Sequence, residues 1–176
     1  MMTNILLIGM FIFIVLFGIT MVVHIVCMVP YVPTNNRTVK KMIAAAKLTK
    51  KDVVFDLGCG DGRLLIAAEK NHVKRSIGFE IAPLVYLLAL ARKFLSKSKA
   101  QIKFKNFFDT SISDATVVFC YLIPAVMPNL ATKLQTECKK GTRIISNTFQ
   151  IIGMTPYKVL KKNPVDRTPS IYIYHV

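Results

Sequence analysis

The chain has 176 residues, 24 of them Lys or Arg and 9 Asp or Glu, for a formal net charge of +15. A hydrophobic share of 53 % excludes a disordered chain, and the basic excess points to anionic partners, either nucleic acid or lipid headgroups. The four cysteines, Cys27, Cys59, Cys120 and Cys138, have neither metal-ligand nor disulfide spacing, which speaks for a reducing compartment and small buried side chains.

Residues 5–29 are almost wholly apolar, and no charged side chain precedes Arg37. About 20 such residues suffice to span a bilayer as a helix. A cleaved signal would need a basic leader and a small-residue cleavage site, and neither is present. Residues 1–29 are therefore expected to form a transmembrane anchor, with His24 a neutral imidazole near the interface or in a helix contact. Arg37, Lys40, Lys41, Lys47, Lys50 and Lys51 all follow the span. The positive-inside rule then predicts a single-pass protein with its domain on the cytoplasmic side, or the matrix side in a mitochondrion.

Residues 30–36 read as a short linker, Pro30-Tyr31-Val32-Pro33-Thr34, with Thr34 or Asn35 capping a helix over 36–48. The domain is expected over 37–176. Without the span roughly 145 residues remain, enough for one real core. A β-branched run, Val53-Val54-Phe55, leads into Asp56-Leu57-Gly58-Cys59-Gly60-Asp61-Gly62-Arg63-Leu64 and a helix over 62–71. A strand over 75–80 ends in Glu80. Pro83 opens a helix to about residue 96, in which Leu84, Leu87, Leu88, Ala91 and Leu95 keep helical spacing. Strands follow over 101–105, 115–121 and 142–148, with a helix over 125–139 closed by Lys139-Lys140-Gly141. Residues 157–160 and 170–174 alternate as an antiparallel pair would. The pattern predicts an α/β fold with a mostly parallel seven-stranded sheet, helices on both faces, and an added N-terminal transmembrane helix. The lysines are scattered without interleaved aromatics, so no specific nucleic-acid face is expected and a bilayer surface is the simpler anionic partner.

The glycine loop narrows the ligand. A dinucleotide fingerprint is G-x-G-x-x-G and a P-loop is G-x-x-x-x-G-K-[ST]; here the spacing is G-x-G-x-G and no lysine follows. Asp56 and Asp61 would repel a pyrophosphate but suit a ligand bearing a sulfonium and an ammonium, that is, S-adenosylmethionine. Glu80, about 20 residues past the loop, stands where a ribose-binding acid belongs in a βαβ unit.

With D-x-G-x-G-x-G and the acid ending the second strand, the chain resembles the Rossmann-like class I, seven-strand S-adenosylmethionine-dependent methyltransferases. Three further segments sharpen the likeness: Pro30-Tyr31-Val32-Pro33-Thr34, the continuation Gly60-Asp61-Gly62-Arg63-Leu64-Leu65-Ile66-Ala67-Ala68, and residues 114–124 ending in Tyr121-Leu122-Ile123-Pro124. They resemble the small lysine methyltransferases that act on ATP synthase c subunit and adenine nucleotide translocase, and the archaeal broad-specificity protein lysine methyltransferases. The resemblance covers roughly residues 28–176.

That resemblance implies roles. Asp56, Gly58, Cys59, Gly60, Asp61 and Gly62 would wrap the methionine part and ribose edge of the cofactor, and Glu80 would accept from both ribose hydroxyls. The family's adenine-binding acid aligns with Asn106, a departure for which Asp109 could substitute. Tyr31, Pro33 and Thr34 would close over the cofactor or the target lysine. Tyr121 and Asn147 are candidate catalytic residues that position the amine rather than deprotonate it, with core packing of Tyr121 an open alternative. No metal is implied. The D/N-P-P-Y signature of enzymes that methylate adenine, cytosine or glutamine is absent. The implied activity is methylation of a lysine in a membrane or membrane-proximal protein. A lipid or quinone methyltransferase is the alternative, and a non-catalytic cofactor-binding scaffold is a third reading.

Overall fold

Helix α2 (Asn36–Ala46) starts where Asn35 accepts the Thr38 amide at 2.8 Å, so Asn35 rather than Thr34 is the cap. The computed structural model describes residues 2–26 and 31–176. Cys27, Val29 and Pro30, and the His24 side chain, lie outside the described part, as do the expectations attached to them. Helix α1 (Met2–Val26) precedes α2, and its Met2–Val23 stretch is long and apolar enough to cross a membrane.

The domain follows the expected alternation: β1 (Val53–Leu57), α3 (Arg63–Glu69), β2 (Arg75–Glu80), α4 (Pro83–Leu95), β3 (Gln101–Phe104), β4 (Val117–Cys120), α5 (Met127–Glu137), β5 (Arg143–Asn147), β6 (Lys158–Leu160) and β7 (Ile171–His175). The sheet runs β3-β2-β1-β4-β5-β7-β6, parallel except for β7, which is antiparallel to both neighbours. This is the Rossmann-like methyltransferase fold. β1 is buried along its whole length between β2 and β4, which is why it reads as an unbroken apolar run. Successive side chains go to opposite faces. Phe55 and Leu57 join Phe79, Leu130, Leu134 and Tyr174 under α5, while Val54 joins Met42, Leu64, Phe119 and Ile145 under α2 and α3. Chain direction across the sheet reverses between β1 and β4, so a crevice opens at their carboxyl ends.

The amino ends of the strands are locked by charge. Asp52 accepts from Thr116 Oγ1 at 2.7 Å and the Thr49 amide at 2.6 Å, and pairs with Arg143. Arg143 also donates to the Ala46 and Lys47 carbonyls, fastening the end of α2 to β1, β4 and β5.

Two expectations shift. The fourth strand and following helix are shorter than read, because Pro124 opens a 3₁₀ turn (Pro124–Val126) before α5. Helix α5 ends at Glu137, and Gly141 serves the turn into β5, with φ 90°, rather than stopping the helix. The stripe of α4, whose helical spacing holds as read, turns away from the sheet. Val85 and Ala89 are buried, while Leu87, Leu88, Phe94 and Leu95 are exposed.

Candidate active site

The loop after β1 is shaped by its glycines. Gly58, Gly60 and Gly62 have φ of 77°, 55° and 75°, a region costly to any residue with a Cβ. The turn lets the Gly58 and Cys59 amides donate to the Phe79 carbonyl on β2, at 3.1 and 2.9 Å. Gly78 makes the approach possible, since a Cβ there would stand 2.7 Å from the Cys59 Cβ. Glu80, ending β2, reaches back with Oε2 accepting the Gly60 amide at 3.0 Å, while Oε1 accepts the Ile81 and Ala82 amides at 2.8 and 2.9 Å. The carboxylate is thus held rigidly between loop and strand end.

These elements floor a cavity of about 260 Å³. Its walls include Asp56, Gly58, Cys59, Gly60, Asp61 and Glu80 on one side and Tyr121, Leu122, Ile123 and Phe149 on another. The Tyr121 and Phe149 rings stack with centroids 6.5 Å apart. Tyr31, Pro33 and Thr34 close over it, and an added Cβ on Gly60 would meet the Tyr31 ring at 3.0 Å. The cover is tied down by Arg63, whose Nη1 donates to the Thr34 carbonyl at 2.7 Å. Val23 of α1 reaches the same cavity.

The acids are not equivalent. Asp61 is buried, and burial alone would raise its pKa, but Arg63 (2.6 Å) and Arg92 (2.9 Å) hold it below the usual range. Its charge is spent on tying loop, cover and α4 together. Asp56 is fully enclosed. Burial first, then the charges of Glu80 and Asp61, push it up to about 8. Burial, and then the nearby Asp61 carboxylate, likewise raise the Tyr31 hydroxyl. All three acids expected from the sequence line the cavity; Asp61 is neutralised there by two arginines, whereas Asp56 is not. A buried acid whose surroundings all oppose ionisation fits a ligand that brings positive charge, which S-adenosylmethionine does twice.

Four candidates lie apart from the cavity walls. Asn106 is exposed and turned into its own 3₁₀ turn, accepting the Phe108 amide at 3.0 Å, while its neighbours Lys105 and Phe107 line the cavity. Asp109 is exposed as well. Asn147 is buried, and its Oδ1 accepts from Thr148 Oγ1 at 3.3 Å, away from the lining. Gly62 packs beneath the loop, near Ile102 and Ala89. Unforeseen were Phe149, which nothing in its local sequence marks, and Arg63, whose position two residues from Asp61 was a usable signal. Cys59, Cys120 and Cys138 are buried free thiols, and among the described residues no group of His, Cys, Asp or Glu is arranged to hold a metal.

Residues 56–158 match the ANTKMT methyltransferase domain. A protein-lysine N-methyltransferase of Saccharolobus islandicus is 42 % identical over 149 residues, 83 % of this chain and 92 % of that protein. The mouse adenine nucleotide translocase lysine N-methyltransferase is 29 % identical over 84 % of this chain, which spans 63 % of the mouse protein. The crystal structure of an RNA methyltransferase from Salinibacter ruber with S-adenosyl-L-homocysteine superposes with a TM-score of 0.76 at 29 % identity, covering 82 % of this chain and 94 % of that one. The chain belongs to the ANTKMT methyltransferase domain family and is an S-adenosylmethionine-dependent methyltransferase.

Proposed function

We propose that the enzyme methylates the ε-amine of a lysine in a membrane or membrane-proximal protein, with α1 as its anchor and residues 37–176 as the catalytic domain. The observation that carries the reading is that one cavity is lined both by the acids Asp56 and Glu80 and by the stacked rings of Tyr121 and Phe149. The choice of lysine is supported by the names of the relatives from S. islandicus and mouse.

When bound, S-adenosylmethionine supplies an electrophilic methyl group on a sulfonium sulfur. Asp56 and the loop from Gly58 to Gly62 hold the methionine part, and Glu80 holds the ribose edge. The target amine enters along Tyr121, whose ring and that of Phe149 can face an ammonium or its methylated product. A free lysine has a pKa of about 10.4, and desolvation in an apolar channel lowers it, so the amine loses its proton without a dedicated base. Tyr121 keeps the lone pair in line, and the cover from Tyr31 to Thr34 excludes water. Neither Asn106 nor Asn147 enters this account, since neither lines the cavity. The basic residues after α1 favour the cytoplasmic or matrix side for the domain.

The test is incubation of host membranes with the enzyme and cofactor labelled on its methyl group. Label in protein bands, mapping to lysine by mass spectrometry, is expected. Label in the organic extract would replace this reading with a lipid or quinone methyltransferase, label in RNA would move the substrate class to nucleic acid, and no transfer would leave a cofactor-binding scaffold.

A further inference from the structure

Helix α4 is apolar on both sides. Ala89 packs inward with Ile102 and Leu65, and Val85, one turn before it on the helix, is buried too. The opposite stripe, Leu84, Leu87, Leu88, Ala91 and Leu95 at spacings of three and four, points away from the sheet, joined by Phe94 and, from the edge strand β3, Phe104. Phe94 and Leu95 are 83 % and 80 % exposed, values at odds with a helix bathed only in water.

Three observations say what covers this stripe. First, α1 packs against α4: the Leu84 amide donates to Thr20 Oγ1 at 3.2 Å, supplying the cap that Ala82 does not, and Thr20 is buried there. The stripe is therefore continuous with the apolar surface of α1. Second, depth is consistent. On α1 the residues that lose exposure run from Leu16 through Thr20 to Val23, and at 1.5 Å per residue the last of these stands about 10 Å beyond the first. That is how far an interfacial helix sinks its apolar face, about 5–10 Å. Third, charge is complementary. Residues 81–108 carry no acid, and besides Arg92, which pairs with Asp61, and Lys105, which lines the cavity, they carry Lys93, Lys97, Lys99 and Lys103. Lysines flanking an apolar helix face can extend toward anionic headgroups while their stems stay in the acyl boundary.

We infer that the outer face of α4, with Phe104, is a second membrane contact, lying in the interface of an anionic bilayer beside α1. The inference rests on the proposed anchoring by α1 and adds an orientation to it. Because α4 starts at the cavity wall formed by Ile81 and Ala82, and Val23 lines the same cavity, this contact holds the cavity mouth at headgroup level. The substrates it favours are lysines at the membrane surface, not on long soluble extensions.

The experiment uses the full chain, with Cys27→Ser, in vesicles of phosphatidylcholine and phosphatidylglycerol without other protein. Nitroxide labels are placed singly at Leu88→Cys, Leu95→Cys, Phe11→Cys and Ile152→Cys, each variant first checked for cofactor binding by calorimetry. The expected result is a several-fold higher ratio of oxygen to water-soluble nickel collisions at 88 and 95 than at 152, with 11 shielded as well. Labels at 88 and 95 that behave like 152 while 11 is in lipid would overturn the second contact and leave the anchor standing. A label at 11 that is open to nickel would overturn the anchor and this inference with it. Spin–spin broadening at 88 that disappears on dilution of the protein in lipid would assign the face to a second copy of the chain and overturn the inference.

Discussion

Strand β1 carries a buried acid at each end, and the fold treats them in opposite ways. Asp52, just before the strand, suffers a burial cost that the hydrogen bonds of Arg143, Thr116 and Thr49 outweigh, so its pKa lies below the usual carboxylate range. Asp56, near the other end, is buried among carboxylates and is pushed up to about 8. One strand thus separates a site satisfied by its own chain from a site left electrostatically incomplete. An acid whose neighbours oppose its charge is a candidate docking point for a cation. An acid locked in ion pairs marks structure.

Four measurements test this contrast. The largest effect is expected at Glu80→Ala, which deletes the acid held by three backbone amides in the cavity wall. Loss of hydrogen bonds to a charged group worth about 1.5–3 kcal/mol each predicts cofactor affinity down by roughly 100-fold or more in calorimetry. Near-normal binding by a folded variant would remove Glu80 from the site. At the other end, Arg143→Ala leaves Asp52 buried and unpaired. Since Arg143 is partly exposed, about 2–4 kcal/mol of stability should be lost, read by denaturant melts, with cofactor affinity per folded molecule unchanged.

The pH dependences should have opposite signs. Asp52, depressed, contributes stability that is complete above the unfolded carboxylate pKa, about 3.9, and is lost as pH falls through its lower folded value. Asp56, raised, disfavours the folded apoprotein progressively as pH climbs from about 3.9 to its folded value of about 8. A cationic ligand favours its ionised form. Affinity should therefore rise with pH by up to about tenfold per unit, levelling near 8, and Asp56→Asn should abolish the rise. The amino group of the ligand titrates identically with both proteins, so the ratio of their affinities isolates Asp56; a ratio flat with pH would sink the assignment. The smallest effect is expected at Tyr121. Tyr121→Phe keeps the ring against Phe149 and should lower kcat less than about tenfold, within the range of one neutral hydrogen bond, whereas Tyr121→Ala should lose more. Equal losses would make the hydroxyl, not the ring, the functional part.

Much of the fold was legible because buried parallel strands read as β-branched runs and the glycine loop marks the crevice. Spacing alone could not say which side of α4 meets the sheet: the stripe from Leu84 to Leu95 has helical period, but the inward pair Val85 and Ala89 is smaller and less conspicuous. Nor could it reveal that Arg92, 31 residues beyond Asp61 in sequence, returns to neutralise it. Asn106 and Asn147 were placed by position along strand ends. Their amides instead bond within their own turns, since short polar side chains readily find local backbone or hydroxyl partners. Phe149 meets Tyr121 only through the register of β4 and β5, which no local pattern encodes.

The order of the sheet edge constrains how the protein is made. β6 pairs only with β7, yet β7 lies between it and the rest of the sheet. During synthesis β6 emerges first and has nothing to join until residues 171–175 follow. In the folded sheet the two form a hairpin, with the Asn163–Thr168 bridge in its connection. Translation halted within that connection would leave β5 with a bare edge, open to pairing with another nascent chain.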